Sequence, residues 1–283
     1  MTPERFRGQT MKTNKPVILI TGASSGIGRA CADRLSEKGC NVYRAARSFA
    51  SRDSDASTRI HLDVDDDDSV NDCVGRVAER EGRIDVVVNC AGYGLAGPFE
   101  EASIVEIKAQ FETNLFGVIR VCQAALPLMR RQRGGLIVNI SSIGGLISLP
   151  FQGFYSASKF ALEAATEALR MEVAPFGIRV VLVEPGDFNT PFTAHRRRAA
   201  KAAESVVYRE RFEKALAVME GDERSGRSPQ AVARLLERII EERSPSCRYV
   251  IGTLSERTAI ILRMLLPCKL YERMIAKHYR SSL

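Results

Sequence analysis

The sequence predicts an α/β fold, in which a doubly wound, mostly parallel sheet of seven strands is covered by helices on both faces. Three observations predict it. Short β-branched or apolar runs alternate with longer segments of helical periodicity, which is typical of right-handed βαβ crossovers. The run Ile84–Val88 lacks the polar alternation of a strand with one solvent-exposed face. The first run also leads directly into a glycine-rich turn and a helix.

Seven segments are predicted to be strands, because they are apolar or β-branched and are bounded by Gly, Asn or Pro. In chain order they are Val17–Thr21, Asn41–Ala45, Arg59–Leu62, Ile84–Asn89, Gly135–Ser141, Arg179–Glu184 and Arg248–Ile251. Helical periodicity predicts helices near residues 27–38, 67–81, 102–132, 154–175 and 228–242. The helix at residue 67 has a local cause, since the carboxylates of Asp65–Asp68 can cap its free N–H groups.

Length and composition indicate one globular domain. The chain has 283 residues, of which 45% are hydrophobic and 27% charged, and no low-complexity linker or repeat divides it. We expect a disordered lead-in at residues 1–15, a single domain at 16–253 and an amphipathic C-terminal extension at 254–283. No apolar run approaches the ~18 residues that span a bilayer, and no signal-peptide pattern is expected.

The cysteines indicate the cellular compartment, and the net charge indicates the class of ligand. The seven cysteines form no C-x-x-C pair, which favours reduced thiols in a cytoplasmic protein. The net charge of +7 favours anionic ligands, but it is spread along the chain. No nucleic-acid partner is therefore expected.

The first predicted strand ends in the glycine-rich segment TGASSGIG, Thr21–Gly28, which opens the next helix. Binding a dinucleotide requires a tight turn, close approach of backbone N–H groups to a pyrophosphate, and close packing of helix on strand. Gly22, Gly26 and Gly28 can meet these needs in that order. Because the segment lies between a buried strand and a helix, it predicts a dinucleotide site rather than an ordinary turn.

The end of the second predicted strand indicates which dinucleotide binds. An NAD site places a carboxylate there to bind the ribose 2′-hydroxyl, but the segment NVYRAARS contains Arg47 and no carboxylate. A guanidinium can bind a 2′-phosphate through a forked, charge-assisted contact. NADP (NADPH when reduced) is therefore predicted in preference to NAD. The alternative is that Arg47 is a solvated loop residue.

Two other kinds of site are not supported by the sequence. No metal site is predicted: the aspartates within 63–68 alternate as in a calcium loop, but Val74 stands where such a loop needs a bidentate Glu. A Ser–His hydrolase is also disfavoured, because no histidine has matching triad partners. The histidines are therefore interpreted as surface or packing residues; they are His61, His195 and His278.

Six separated motifs occur along the chain in a fixed order. They are TGASSGIG at 21–28, NCAG at 89–92, Asn114 in TNLFG, Ser142 in NISS, YSASK at 155–159 and EPGDFNT at 184–190. In this order they resemble the short-chain dehydrogenase/reductase family over about residues 16–190. Among its single-domain members, the chain is similar to hydroxysteroid and retinol dehydrogenases. The resemblance implies a Rossmann-type fold. Cys90 departs from the pattern, since the family usually has a second Asn there.

The resemblance implies that Asn114, Ser142, Tyr155 and Lys159 are the catalytic residues. Tyr155 and Lys159 lie four residues apart on a predicted helix, so their side chains share one face. An ammonium at about 4 Å, helped by the oxidised nicotinamide, can lower the pKa of a phenol from about 10 to about 7. Ser142 can donate a hydrogen bond to the substrate oxygen that gains charge. In the family the Asn kinks a helix and holds a water that links the lysine to solvent.

The resemblance also implies which residues meet the cofactor. Thr190 matches a residue that bonds the nicotinamide carboxamide, Asp63 one that meets the adenine, and Asn89 one that steadies the central sheet. The implied cofactor-binding residues are Gly22, Ser24, Ser25, Gly26, Ile27, Gly28, Arg47, Asp63, Asn89, Ala91, Gly92, Tyr155, Lys159, Pro185, Gly186 and Thr190.

Apolar segments near the site motifs indicate the substrate. Ile143–Phe151, Gly94–Phe99, Phe188 and Phe192 are expected to form the pocket wall. Such a wall favours a lipophilic small molecule, such as a steroid, a retinoid or a long-chain carbonyl compound, and a role in lipid metabolism.

The last hundred residues leave two questions open. Residues 187–227 are expected to form a substrate lid, in which the apolar stripe at 208–219 either lines the pocket or packs as an ordinary helix face. Residues 254–280 interleave apolar and basic residues. They either lie on an anionic membrane surface or cover the substrate entrance or a subunit interface; Pro267 favours the covering role, because it breaks the segment into short pieces.

The predicted function is NADP(H)-dependent interconversion of a carbonyl and an alcohol on a lipophilic small molecule, with the proton supplied by Tyr155. Two alternatives remain: a reductase of acyl-thioester ketones, and a non-catalytic NADPH-binding scaffold. The family resemblance further implies a homodimer or homotetramer, formed through the helices near 102–132 and 154–175.

Overall fold

The computed structural model of the chain describes residues 15–49 and 58–279. The lead-in predicted at residues 1–15 therefore lies, apart from Lys15, outside the described residues. The predicted fold class is confirmed, since a seven-stranded parallel sheet is flanked by helices.

The strands end close to where the sequence predicts. They are β1 (Val17–Thr21), β2 (Asn41–Ala46), β3 (Arg59–His61), β4 (Val86–Asn89), β5 (Leu95–Ala96), β6 (Gly135–Ile140), β7 (Ile178–Pro185), β8 (Arg197–Arg198) and β9 (Arg248–Ile251). The main sheet has the order β3-β2-β1-β4-β6-β7-β9, and β5 pairs with β8 in a separate ladder. The chain order reverses beside β1, and ligands of open α/β sheets bind at such a point, outside the carboxyl ends of the strands.

The described part of the chain has ten α-helices, of which the last two follow the final strand. They are α1 (Gly26–Glu37), α2 (Asp67–Glu81), α3 (Ile104–Phe111), α4 (Gly117–Gln132), α5 (Gly153–Val173), α6 (Phe192–His195), α7 (Arg209–Ser225), α8 (Gln230–Glu241), α9 (Leu254–Leu265) and α10 (Cys268–His278). The expected start of α2 is present, because the Asp66 side chain accepts a hydrogen bond from the Ser69 N–H.

The uniformly apolar sequence of β1 follows from burial on both faces. Val17 and Leu19 belong to the core layer that contains α2, α4 and α5 side chains. Ile18 and Ile20 belong to the opposite layer, against α1 and α8. Successive side chains of a strand point to opposite faces, so a strand between two helical layers needs an apolar residue at every position.

The helix predicted at 102–132 is in fact two helices, α3 and α4, joined by a π-helical turn at Glu112–Phe116. The turn directs Asn114 inward, where its Oδ1 accepts from the Tyr93 N–H at 3.1 Å and its Nδ2 donates to the Tyr93 carbonyl at 3.0 Å. The turn lies where the family resemblance implied a bend. Apolar periodicity does not reveal it, because a single five-residue turn is too short for its period to be distinguished from that of an α-helix.

The C-terminal extension forms the two short helices α9 and α10, which are separated at Pro267. Helix α10 buries Tyr271 and Ala276, whereas α9 buries none of its residues. Within residues 15–49 and 58–279, no helix has both the length and the apolar character that crossing a bilayer requires.

Candidate active site

A cavity of about 720 Å³ opens at the carboxyl ends of β1, β4, β6 and β7. It brings together residues that are up to 257 positions apart in the sequence, from Gly22 to Tyr279. Of the predicted site residues, those that line it are Gly22, Ser24, Ser25, Gly26, Ile27, Gly28, Arg47, Ala91, Gly92, Ser142, Tyr155, Lys159, Pro185, Gly186 and Thr190. The fold thus gathers most of the predicted site in one place.

The glycine-rich turn has the close packing that a dinucleotide cradle needs. Gly22 has φ +66°, and a Cβ there would lie 2.8 Å from the backbone N and Cα of Ala91. A Cβ on Gly28 would overlap the carbonyl oxygen of Gly22, so only glycine lets α1 start this close to β1. The Ser25 side chain makes no capping hydrogen bond, so the first N–H groups of α1 are free to bind a phosphate. The residues present therefore fit a pyrophosphate.

A cationic side chain, Arg47, lies at the part of the cavity that follows β2. Arg47 is exposed just beyond β2 and lines the cavity together with Ser48. Asp63, which the resemblance implies meets the adenine, is not among the residues that line the cavity. Its neighbours Leu62 and Val64 line the cavity, whereas the Asp63 Oδ1 accepts a hydrogen bond from the Asp65 N–H at 3.1 Å.

Ser142 and Tyr155 lie side by side at the centre of the cavity. A Cβ built on Gly144 would be 3.1 Å from the Tyr155 ring and 3.4 Å from Ser142 Oγ, so both side chains flank this glycine. Ser142 Oγ accepts from the Gly144 N–H at 3.0 Å, which orients the hydroxyl at the end of β6. The Tyr155 phenol is almost fully buried, at 8% exposure.

Lys159 lies one helical turn after Tyr155 on α5, and its Nζ donates to the Ile140 carbonyl at 3.0 Å. Asn114 is close to it: a Cβ on Gly92 would lie 3.1 Å from Asn114 Oδ1 and 3.9 Å from Lys159 Nζ. Asn114 is fully buried behind the cavity wall and does not line it.

The Tyr155 pKa is raised in the cofactor-free protein, whereas the expected lowering to about 7 includes the charge of a bound nicotinamide and stays a prediction. Burial raises the pKa of Tyr155 to about 12, although the Ser142 hydroxyl works in the opposite direction. Burial also lowers the pKa of Lys159 to about 8. Both groups lose hydration, and each therefore favours its uncharged form. The phenol is consequently a proton donor throughout the neutral range.

Asn89 lies between strands rather than in the cavity. Its Nδ2 donates to Asn139 Oδ1 at 2.8 Å, and Asn139 Nδ2 donates to Thr166 Oγ1 at 2.9 Å. This chain of buried amides ties β4 and β6 to α5. The position agrees with a role in steadying the sheet and not with a direct cofactor contact.

Comparison with known proteins decides the family. A family model described as short chain dehydrogenase matches residues 16–201. The chain belongs to the short-chain dehydrogenase/reductase (SDR) family. It is accordingly an oxidoreductase, and the fold and motif order described above are those of an SDR.

Two relatives illustrate the range of substrates among similar SDRs. A 3-ketodihydrosphingosine reductase from Bacteroides thetaiotaomicron is 43% identical over 238 residues, which cover 84% of this chain and 88% of the relative. Human retinol dehydrogenase 8 is 39% identical over 188 residues, which cover 62% of this chain and 60% of the relative.

Solved structures agree with the fold and include both dinucleotides. A short-chain dehydrogenase from Streptomyces avermitilis has a TM-score of 0.79 and 32% identity, covering 93% of this chain and 97% of that one. An alcohol dehydrogenase from Thermococcus sibiricus, complexed with 5-hydroxy-NADP, has a TM-score of 0.68 and 26% identity, covering 85% and 97%. An SDR from Burkholderia phymatum in complex with NAD has a TM-score of 0.74 and 26% identity, covering 95% and 96%.

The substrate side of this SDR is mostly apolar. The apolar lining residues are Ile143, Ile147, Leu149, Phe188, Phe192, Met219, Met274 and Ile275. The segment Gly94–Phe99, expected in the wall, does not line the cavity, because Leu95–Ala96 pairs with β8 and Phe99 is 76% exposed. In α7, Phe212 and Leu216 pack in a buried apolar cluster, and Met219 also reaches the cavity.

The C-terminal extension covers one side of this cavity. Met274, Ile275 and Tyr279 of the α10 segment line it, together with Ala259 of α9. The sequence left open whether residues 254–280 lie on a membrane or cover the substrate entrance, and α10 covers one side of the cavity.

Several cavity residues were not predicted from the sequence. His195 and His278, interpreted as surface or packing residues, both line the cavity. The acidic side chains Asp187, Glu223 and Glu256 also line it, and burial together with Glu256 raises the pKa of Asp187 to about 7. No sequence signal shows that these side chains share one cavity, because they come from separate elements: the loop after β7, α6, α7, α9 and α10.

No metal site is evident in the part of the chain that the structure describes. Nowhere in residues 15–49 and 58–279 do three or more His, Cys, Asp or Glu side chains come together as a metal ion would require.

Proposed function

We propose that this SDR uses NADPH to reduce a ketone on a lipophilic, long-chain molecule, and that it can run the reverse oxidation of the alcohol. The observation that supports this best is the position of Ser142 and Tyr155, between a turn that fits a pyrophosphate and an apolar wall. A ligand that extended across the cavity would have its polar cofactor end at α1 and its reacting centre at Tyr155.

The roles of the side chains follow from their positions. A bound nicotinamide supplies the hydride. The Ser142 hydroxyl donates a hydrogen bond to the carbonyl oxygen and stabilises the charge that forms there. The Tyr155 phenol gives its proton to the same oxygen, and Lys159 stabilises the negative charge left on the phenol. Asn114, which is close to Lys159 Nζ, positions the lysine and connects it to the bend between α3 and α4.

Reduction is the proposed working direction of the enzyme. A proton donor must be protonated before the reaction, and burial keeps the Tyr155 pKa near 12. At neutral pH the phenol is therefore ready to donate, whereas oxidation would need the phenolate. NADPH, the reduced cofactor, is consistent with this direction.

The substrate class follows from the apolar wall and from the relative that is 43% identical. That relative is named a 3-ketodihydrosphingosine reductase, and the substrate in its name is a long-chain ketone. The apolar side chains of α10 and of residues 143–149 can bury such a chain. A long-chain 3-ketone is therefore proposed ahead of a steroid or a retinoid.

A substrate panel tests this proposal. With NADPH, 3-ketodihydrosphingosine and other long-chain ketones are expected to be reduced faster than steroid ketones, retinal or an acetoacetyl thioester, as read from the loss of nicotinamide absorbance. Preference for the thioester would favour the acyl-thioester reductase. Tight NADPH binding without reduction of any carbonyl would favour the non-catalytic scaffold.

The coenzyme preference depends on Arg47. Replacing Arg47 with aspartate is expected to lower kcat/KM for NADPH by about 10–100-fold relative to NADH, because a charge-assisted contact is replaced by repulsion. The same charge change at the exposed Arg131 of α4, which does not line the cavity, serves as the control. If the ratio of kcat/KM for NADPH to that for NADH is the same in the wild type and the Arg47→Asp variant, Arg47 does not contact the cofactor.

The outer face of the α9–α10 segment is proposed to contact an anionic membrane surface. Large apolar side chains are exposed there: Leu254, Ile261, Met264, Leu265 and Leu270. Basic residues interleave with them, at Arg257, Arg263, Lys269 and Arg273. Exposed apolar side chains among cations suit a bilayer with acidic headgroups. The same helices line the cavity, so a lipophilic substrate would need to travel only a short way from the bilayer.

Vesicle flotation measures this contact. The protein is expected to float with vesicles that contain acidic phosphatidylglycerol and to float less with neutral phosphatidylcholine alone. The double variant Met264→Glu, Leu265→Glu should lose most of the binding, whereas Val206→Glu, Val207→Glu should not, although Val206 is 98% and Val207 74% exposed. Equal flotation of the two variants would contradict the assignment.

A homodimer or homotetramer is also proposed, since SDRs generally form homo-oligomers. Phe116, Met171 and Phe176 are exposed apolar side chains at or beside the two helical segments expected to pair. Light scattering would report twice or four times the chain mass of 31.2 kDa.

A further inference from the structure

Two buried carboxylates lie beyond Lys159, outside the cavity lining. Glu163 is one helical turn after Lys159 on α5, so the two side chains share a helix face. Glu184 is on β7 and has no exposed surface, while Glu163 is 6% exposed. A Cβ on Gly145 would touch Glu163 Oε1 at 3.2 Å, so the turn after Ser142 also closes over this carboxylate. None of the steps assigned to Ser142 and Tyr155 uses either group.

The guanidinium of Arg248 forms ion pairs with both carboxylates. Arg248 Nη1 is 2.6 Å from Glu184 Oε1, and Arg248 Nη2 is 3.0 Å from Glu163 Oε2. The same Nη2 is 2.8 Å from Glu167 Oε1, on the exposed side of α5. One cation cannot neutralise two buried carboxylates and an exposed one. Burial and the charge of Glu163 accordingly raise the pKa of Glu184, and burial raises that of Glu163.

Burial likewise disfavours the charged form of Lys159. Burial lowers its pKa to about 8, while Cys90 and Glu163 work in the opposite direction. The other groups that face it are the Ile140 carbonyl of β6 and the neutral amide of Asn114. Burial also raises the pKa of the Cys90 thiol, to about 11. At neutral pH the thiol is therefore uncharged, and Glu163 is the nearby source of negative charge.

We propose that Glu163 and Glu184 share one proton and together hold Lys159 in its ammonium form, as positioning residues that act through the lysine. Near neutral pH the pair has one negative charge, which faces the ammonium. When the pair loses its shared proton at higher pH, its second negative charge strengthens the attraction to the ammonium. The pair thus extends the pH range over which the lysine stays charged. The inference rests on the proposed function only in assuming that catalysis needs the ammonium.

Chemical labelling of the cofactor-free protein measures this directly. An amine reacts with acetic anhydride only when it is uncharged, so the pH dependence of acetylation at Lys159, read by mass spectrometry, reports its protonation. Replacing Glu163 with glutamine is expected to lower the midpoint by about one pH unit and to increase acetylation at pH 7 by about fivefold. Glu184→Gln should shift the midpoint in the same direction but by less.

Glu167→Gln is the matched control. It removes a carboxylate that also contacts Arg248, but this side chain is 55% exposed and its charge is screened by water. The midpoint of Lys159 acetylation in Glu167→Gln should equal that of the wild type. Glu163→Asp keeps a carboxylate, so most of the shift caused by Glu163→Gln should be absent in it. Equal midpoints for Glu163→Gln, Glu167→Gln and the wild type would overturn the proposal. If Glu163→Gln does not fold, an unshifted midpoint in Glu184→Gln overturns it instead.

Activity provides the second measurement. The alkaline limb of kcat/KM for ketone reduction should move to lower pH in Glu163→Gln by the same amount as the labelling midpoint, and should not move in Glu167→Gln. A limb that stays in place despite a shifted midpoint would show that catalysis does not need the ammonium. In that case the assumed role of Lys159 fails and the proton-sharing pair stands, so the two failures are distinguishable.

Discussion

Replacing Tyr155 with phenylalanine is expected to lower kcat/KM for NADPH-dependent ketone reduction by about 10²–10⁴-fold, which is the usual contribution of a general acid. The ring stays in place against Phe192, whose centroid is 5.8 Å away, so the cavity should keep its shape. NADPH affinity, measured by nucleotide fluorescence, should change by less than about threefold, because the phenol hydroxyl and not the ring is removed.

A second tyrosine in the same fold controls for the loss of a buried hydroxyl. Tyr271 of α10 is 5% exposed, its hydroxyl has no hydrogen-bond partner among the residues that the structure describes, and it does not line the cavity. Tyr271→Phe should therefore leave both activity and stability within error of the wild type. If single-turnover hydride transfer is equally fast in Tyr155→Phe and the wild type, the phenol is not the proton donor.

Replacing Gly28 with alanine is expected to weaken NADPH binding by at least about 100-fold and to lower the free energy of unfolding by about 1–3 kcal/mol. The added Cβ would overlap the carbonyl oxygen of Gly22 and approach the Ala23 Cα at 3.3 Å. Both obstacles are backbone atoms, so relief requires α1 to move away from β1. That movement would take the N–H groups of α1 out of reach of the pyrophosphate.

Gly75 is the matched control, because it lies inside α2 and a Cβ there would meet nothing within 4 Å. Gly75→Ala should raise the free energy of unfolding by about 0.5–1 kcal/mol, since alanine loses less conformational freedom in a helix than glycine. Urea denaturation and a fluorescence titration with NADPH measure the two effects. Wild-type NADPH affinity in Gly28→Ala would contradict the assignment of the turn as the phosphate site.

The substrate side is the part of the site that sequence reasoning described least well. The segment 143–151 does line part of the cavity, as the sequence predicts, because it directly follows Ser142. The segment Gly94–Phe99 was placed in the wall and is not there, because its backbone pairs with β8 and turns Phe99 outward. His195 and His278 were interpreted as surface or packing residues, yet both line the cavity. Which segment covers a pocket depends on contacts between elements that are remote in sequence.

The sequence by itself determined the fold class, the position of the strands, the glycine-rich turn, and the pairing of Tyr155 with Lys159 on one helix face. These are local properties: a period of burial along one element, or a spacing of a few residues within one turn. The tertiary structure alone decided the protonation preference of Tyr155, the carboxylates that α7 and α9 bring to the cavity, and the Glu163–Glu184–Arg248 cluster. Those depend on how much water each group loses and on which distant side chains approach it, and neither is fixed until the sheet and its covering helices are assembled.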